Sequence, residues 1–135
     1  MSTTTFIISA DRTEYAPEIN RDRRWRLDFM LKGAGLVTVP VTGSYEGVTE
    51  GSLMVPPNGL AAGDVRRLLI QAAENWEQDS LLEFNKDGDA WLVFTRGRPD
   101  RYIGKLVVSD TLPPEVSAFT RLPDGKFIYT REEAL

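Results

Sequence analysis

Glu50-Gly51-Ser52-Leu53-Met54-Val55 is the stretch from which the rest of the chain is best read. Side chains alternate between the two faces of a strand, so Glu50 and Ser52 share one side while Leu53 and Val55 share the other. The apolar side belongs to a core, and the polar side faces a cleft or a polar cluster. Glu77-Gln78-Asp79-Ser80-Leu81-Leu82 repeats the polar-then-apolar order. Both stretches set hydrogen-bonding side chains at the mouth of a buried strand.

Outward from these two stretches, residues 4–9 (Thr-Thr-Phe-Ile-Ile-Ser) are β-branched and aromatic, which suits a strand. Pro17 suits a first helical turn, and residues 18–32 carry Ile19, Leu27, Met30 and Leu31 near one face before Gly33 and Gly35. Residues 36–41 read as a strand, 42–47 as a glycine-punctuated loop and 52–55 as a strand ended by Pro56-Pro57-Asn58-Gly59. Val65, Leu68, Leu69, Ala72 and Trp76 stand at helical spacing across 62–76, with Asp64 near the positive end of the dipole.

Residues 80–84, 90–95 and 102–108 read as three strands, the first two joined through Asp87-Gly88. The order β-α-β-β-α-β-β-β predicts an α+β fold: one domain over residues 1–135, a mainly antiparallel sheet with two helices packed on one face. Residues 109–135 read as a less regular C-terminal extension, with 127–130 as a candidate last short strand.

The chain has 135 residues, 41% of them hydrophobic and 27% charged, as expected of one globular domain rather than a disordered or fibrous chain. No long apolar run and no secretory leader pattern is present, so a soluble protein of the cytoplasm is expected, away from membranes. With no His and no Cys, the sequence excludes a Ser-His-Asp triad, a cysteine nucleophile, an imidazole or thiolate zinc site and a disulfide. Carboxylate, Lys, Tyr, Ser and Thr chemistry remains, and no cofactor or metal is expected.

Net charge is −4, and it is unevenly spread: residues 36–90 hold three basic and nine acidic side chains, whereas residues 1–35 hold six and five. An acidic balance does not favour direct nucleic-acid binding, which draws on cations neutralising phosphates. The acidic run contributes Glu74, Glu77, Glu83 and Asp87, and the following loop contributes Arg96, Arg98 and Arg101. Together these read as a charged surface for a protein or ribonucleoprotein partner.

A second candidate set is the polar cluster Arg12, Asn20, Arg24, Glu50, Ser52, Gln78, Asp79 and Ser80. A Glu50 carboxylate in a cleft needs a cation such as Arg12 or Arg24, because burying an unpaired charge is costly. Gln78, Asp79 and Ser80 suit the capping of loose backbone groups after a helix. The same cluster also has the composition of a small-ligand site for a nucleotide or an anion. Asp110 and Asp124-Gly125-Lys126 form a weak metal-dependent nuclease pattern, although Asp-Gly is first a turn signal.

Asn20, Leu27, Leu31 and Gly35, then Gly43-Ser44-Tyr45-Glu46-Gly47, Glu50 to Val55, Gln78 to Leu82 and Ile103-Gly104, resemble in order a family of small uncharacterised phage and bacterial proteins. That family's pattern includes G-x-Y-x-G, E-x-S-F-x-V and Q-E-S-V-L; this chain has Leu53 in place of the Phe and Asp79 in place of the Glu. The resemblance implies a single domain of phage-like origin and brings no activity with it. With the missing catalytic vocabulary, it leads to the expectation of a non-enzymatic interaction protein, a phage-encoded modulator or inhibitor of a host or defence complex.

Overall fold

The computed structural model describes residues 3–45 and 47–131; Glu46 of the glycine-punctuated stretch lies outside the described residues. The described elements run β1 (Thr5–Ser9), α1 (Pro17–Gly33), β2 (Val39–Tyr45), β3 (Val48–Val55), α2 (Ala62–Asn75), β4 (Ser80–Phe84), β5 (Asp89–Phe94), β6 (Arg101–Ser109), β7 (Ala118–Arg121) and β8 (Phe127–Arg131). All strand pairings are antiparallel, and the eight strands close into a barrel in the order β1-β3-β2-β7-β8-β6-β5-β4, with β4 returning to β1.

This corrects the expected α+β architecture of an open sheet carrying two helices on one face. The first four strands do lie side by side, as β4-β1-β3-β2, but their outer strands would leave rows of unpaired backbone groups. The second half consumes both edges. β5 pairs with β4, β6 with β5, and β7 with β2 from Thr42↔Arg121 to Tyr45↔Ala118, while β8 bridges β6 and β7. The closing strands β7 and β8 come from the segment read as a less regular extension. A four-residue strand such as Ala118-Phe119-Thr120-Arg121 is too short to show a period of its own.

The β2–β3 hairpin is also longer than its sequence suggests. Its register runs from Val39↔Met54 to Tyr45↔Val48, so Thr42 to Tyr45, expected in a loop, are strand residues. On the other side of the barrel the β5–β6 register shifts between Ala90 and Trp91, opposite Gly104, whose φ of 107° is open only to glycine at low cost. Such a bulge bends the strand and helps a sheet to close.

The main core lies between the barrel wall and the helices. Phe6, Ile8, Leu53, Val55, Leu81 and Val93 form one buried cluster with Leu27 and Leu31 of α1 and Val65, Leu69, Ala72 and Ala73 of α2. Each fully buried large side chain contributes about 1.5–3 kcal/mol. The alternate residues Ile7, Ser9, Ser52, Leu82 and Leu92 face a cavity on the inner side. Among the described residues no helix is long and apolar enough to cross a membrane.

Candidate functional site

An eight-stranded barrel is just wide enough to hold one small ligand. Here the cavity measures about 540 Å³, and all eight strands contribute to its lining. The pairing registers place Ser9, Tyr45, Val48, Glu50 and Ser80 toward one end, where β1, β2, β5 and β8 finish and β3, β4, β6 and β7 begin. Deeper walls are mostly apolar, including Ile7, Leu82, Leu92, Leu106 and Phe119. Among the described residues the polar lining consists of hydroxyls, the Gln78 amide and one carboxylate, Glu50, and no Lys or Arg lines the cavity.

The loop after β1 is held against this mouth by side chains from distant segments. Asp11, only 8% exposed, accepts bonds from Arg24 Nε and Nη2, both at 3.3 Å, and from the Gly51 amide at 2.8 Å. Ser9 Oγ donates to the Gly51 carbonyl at 2.8 Å and accepts from the Asp11 amide at 3.0 Å. Gln78 Nε2 donates to the Asp11 carbonyl at 3.0 Å. Asn20 closes the next turn, accepting from the Arg12 amide at 2.9 Å and donating to the Arg12 carbonyl at 2.8 Å. Arg23 ties the whole to α2 by donating to Ala10 O at 2.7 Å and Trp76 O at 2.6 Å, with its guanidinium over the Tyr15 and Trp76 rings.

Gln78 reaches this position because α2 ends on a left-handed residue. Glu77 has φ of 60°, and the Gln78 amide then reaches back to Ala73 O at 2.8 Å. Thr95, 2% exposed, secures the following turn by donating to Gln78 O and Asp79 O at 3.1 and 3.2 Å.

Glu50 is the exception in this web of ties. Among the described residues its carboxylate makes no ion pair or hydrogen bond: Arg24 belongs to Asp11, and Arg12 pairs with Glu14 and donates to the Glu77 carbonyl. Solvent reaches Glu50 through the mouth, but protein atoms crowd it on the other sides. Loss of hydration first, and the charge of Asp11 second, raise its pKa above the ordinary glutamate value. The cation expected for Glu50 is thus committed to another acid.

The candidate polar cluster therefore divides. Glu50, Ser52, Gln78 and Ser80 line the cavity. Arg12, Asn20 and Arg24 line an adjoining groove of about 440 Å³, in which Thr13, Val48 and Glu50 are shared with the cavity. Asp79 is exposed and contributes its carbonyl to Thr95. Sequence reasoning missed Ser9, Asp11, Thr13, Tyr45 and Tyr129. Ser9 was within reach, since it falls two residues beyond Ile7 on the inward face of β1. Asp11 carried only the weak signal of a lone acid just after an apolar strand.

The charged-surface candidates are dispersed into local ties. Glu74 accepts from the Arg96 amide at 3.1 Å, Glu77 meets Arg23 at 3.5 Å, Glu83 meets Arg66 at 3.6 Å, the Asp87 carbonyl faces Lys105 at 3.5 Å, and Arg98 lies over the Phe94 ring at 4.2 Å. Arg101 is an exposed residue at the start of β6. Asp124 caps the β7–β8 turn by accepting from the Lys126 amide at 3.0 Å.

A family model described as the S-Adenosylmethionine lyase family matches residues 6–131. The match spans nearly the whole chain, which belongs to this family. A comparison with curated proteins returns no match. The family is an enzyme family, and this overturns the expectation of a non-enzymatic phage modulator or anti-defence inhibitor acting through charged surface. It likewise displaces the anion-binding and nuclease readings. The sequence-level resemblance to a family thus ends in a named enzyme family in place of an uncharacterised one.

Proposed function

From membership of the S-adenosylmethionine lyase family, we propose that the chain binds S-adenosylmethionine at the mouth of its barrel and cleaves a carbon–sulfur bond there without water. The observation that carries this reading is the unpaired Glu50 carboxylate, among the described residues the one carboxylate in a cavity with no lining cation. A sulfonium is a cation that cannot donate a hydrogen bond, so a carboxylate free of cationic partners is its natural counter-charge. Hydroxyls and the Gln78 amide suit the ribose and purine, and the apolar walls keep competing water away.

The bond broken is the one from sulfur to the amino-acid side chain. Its electron pair leaves with sulfur, giving a neutral adenosine thioether. The carbon recovers a pair in one of two ways. An adjacent C–H bond supplies it, Glu50 takes the proton and an unsaturated amino acid forms, or an oxygen of the substrate's own carboxylate supplies it and a lactone forms. Glu50 faces the sulfonium in both cases. The chemistry needs neither imidazole nor thiol, so the absence of His and Cys does not stand against an enzyme.

The test is incubation of the purified protein with S-adenosylmethionine and identification of the products by mass spectrometry. Release of methylthioadenosine, abolished or strongly slowed by Glu50→Gln, is expected. Unchanged substrate, or equal rates for both proteins, would overturn the reading.

A further inference from the structure

The barrel cavity and the groove beside it meet at Glu50, and their chemistries differ. The groove lining sets Arg12, which also pairs with Glu14, and Arg24 beside Asp11 and Glu50, whereas among the described residues the cavity lining has Glu50 as its one charged side chain. Thr13 and Val48 stand with Glu50 where the two linings join. In the substrate, an uncharged adenosine and a zwitterionic amino acid are joined through the sulfonium.

We propose that the groove between the loop after β1 and the β2–β3 hairpin is the subsite for the amino-acid end of the substrate, with the Arg24 guanidinium as the anchor for its carboxylate and Arg12 as a second cation. The assignment rests on the lyase reading and deepens it. The adenosine then occupies the barrel, and the sulfonium stands at the junction beside Glu50.

Arg24 suits the role for three reasons. Its side chain is about one-third exposed on the groove, so an incoming carboxylate can reach it. Asp11 uses its Nε and Nη2, and among the described residues Nη1 has no hydrogen-bond partner. The guanidinium also lies so close over Gly51 that a Cβ there would overlap it, which keeps it beside the strand carrying Glu50. Asp11 thus orients Arg24 without using all of its donors, and an arginine with a spare donor recognises a carboxylate well.

The test compares two ligands by calorimetry: S-adenosylhomocysteine, which keeps the amino-acid end, and methylthioadenosine, which lacks it. The proteins are the wild type, Arg12→Gln and the double variant Asp11→Asn/Arg24→Gln, whose new pair keeps a neutral hydrogen bond in place of the ion pair. The double variant is expected to bind S-adenosylhomocysteine about 10- to 100-fold more weakly, the range for a lost charge-assisted bond, with methylthioadenosine little affected. Arg12→Gln is expected to show a smaller loss of the same selectivity.

Equal weakening of both ligands would mean that the change damages the mouth as a whole, and it would overturn the subsite. Unaltered S-adenosylhomocysteine binding would overturn it too. Wild-type cleavage of S-adenosylmethionine accompanied by either result would leave the lyase reading standing and remove only the subsite. A wild type that binds neither ligand would overturn the subsite, and one that also leaves S-adenosylmethionine uncleaved would remove both readings.

Discussion

Asp11 Oδ2 accepts a 2.8 Å hydrogen bond from the amide of Gly51, a residue 40 positions away in the chain. The same carboxylate holds Arg24, whose guanidinium covers Gly51 on the other side. One acid therefore fixes both the strand that presents Glu50 and the arginine that would otherwise neutralise it. Several measurable consequences come from this arrangement and from the packing around it.

Gly51→Ala places a methyl group where the Arg24 guanidinium now lies, and the shift of Arg24 that relieves it weakens the pair with Asp11. The expected destabilisation is about 1–3 kcal/mol, read from urea unfolding. Combined with Arg24→Ala the loss should be clearly less than the sum of the two single effects. Strict additivity would show that the contact is not shared. Gly43→Ala is the control, since a Cβ there stands 3.6 Å or more from its neighbours.

Glu50→Gln should reduce cleavage of S-adenosylmethionine by about 100-fold or more, the scale of a lost charged group at a reacting centre. On the proposed mechanism the active form is the ionised one, so the rate should fall as pH drops through a value above that of an ordinary glutamate. A pH profile flat down to the ordinary carboxylate range would contradict this.

The same raised pKa has a stability consequence of definite sign. The folded state binds the Glu50 proton more tightly than the unfolded chain does, so this group favours folding at low pH, and that advantage is lost as pH rises through the folded pKa. At neutral pH Glu50→Gln should therefore raise Tm, while below the pKa of an unfolded glutamate the two proteins should melt together. Thermal unfolding at both pH values checks the crossover.

Thr95→Val keeps the volume at a 2% exposed position but removes the hydroxyl that binds the Gln78 and Asp79 carbonyls. A cost of about 1–3 kcal/mol is expected, because the Gln78 carbonyl loses this donor while the Asp79 carbonyl keeps the Thr95 amide at 3.0 Å. A loss of ligand affinity should come with it, because Gln78 and Ser80 flank the turn and line the cavity.

Leu69→Ala opens a hole between α2 and the barrel wall, where Leu69 has no exposure, and should cost about 2–5 kcal/mol. Trp25→Ala should cost less than about 1 kcal/mol. Although Trp25 stacks on Phe29 at 5.6 Å, it is 64% exposed and leaves no cavity. Chemical denaturation of both variants tests whether the core sits between helices and barrel.

Much of the wall was legible. The alternation in Glu50 to Val55 assigns Glu50 and Ser52 to one face and Leu53 and Val55 to the other, and the structure places the first pair on the cavity and the second in the core. The spacing of Val65, Leu69 and Ala72 similarly finds the buried side of α2. These are local signals, carried by the backbone's own period. Ile19 and Met30 show the limit of such reading: their spacing sets them near the face of Leu27 and Leu31, yet both are exposed.

The sequence by itself determined the strand faces, the two helices and the chemistry left to a chain without His or Cys. Tertiary structure alone decided that the sheet closes, that Arg24 is bound by Asp11 and that Glu50 is left free of a cation. The reason is physical. Periodicity reports which side of an element is buried, but barrel closure depends on which distant edges need partners, and the state of a carboxylate depends on which cation arrives first from elsewhere in the chain. Gln78 reaches the Asp11 carbonyl across 67 residues. No local pattern encodes a contact of that span.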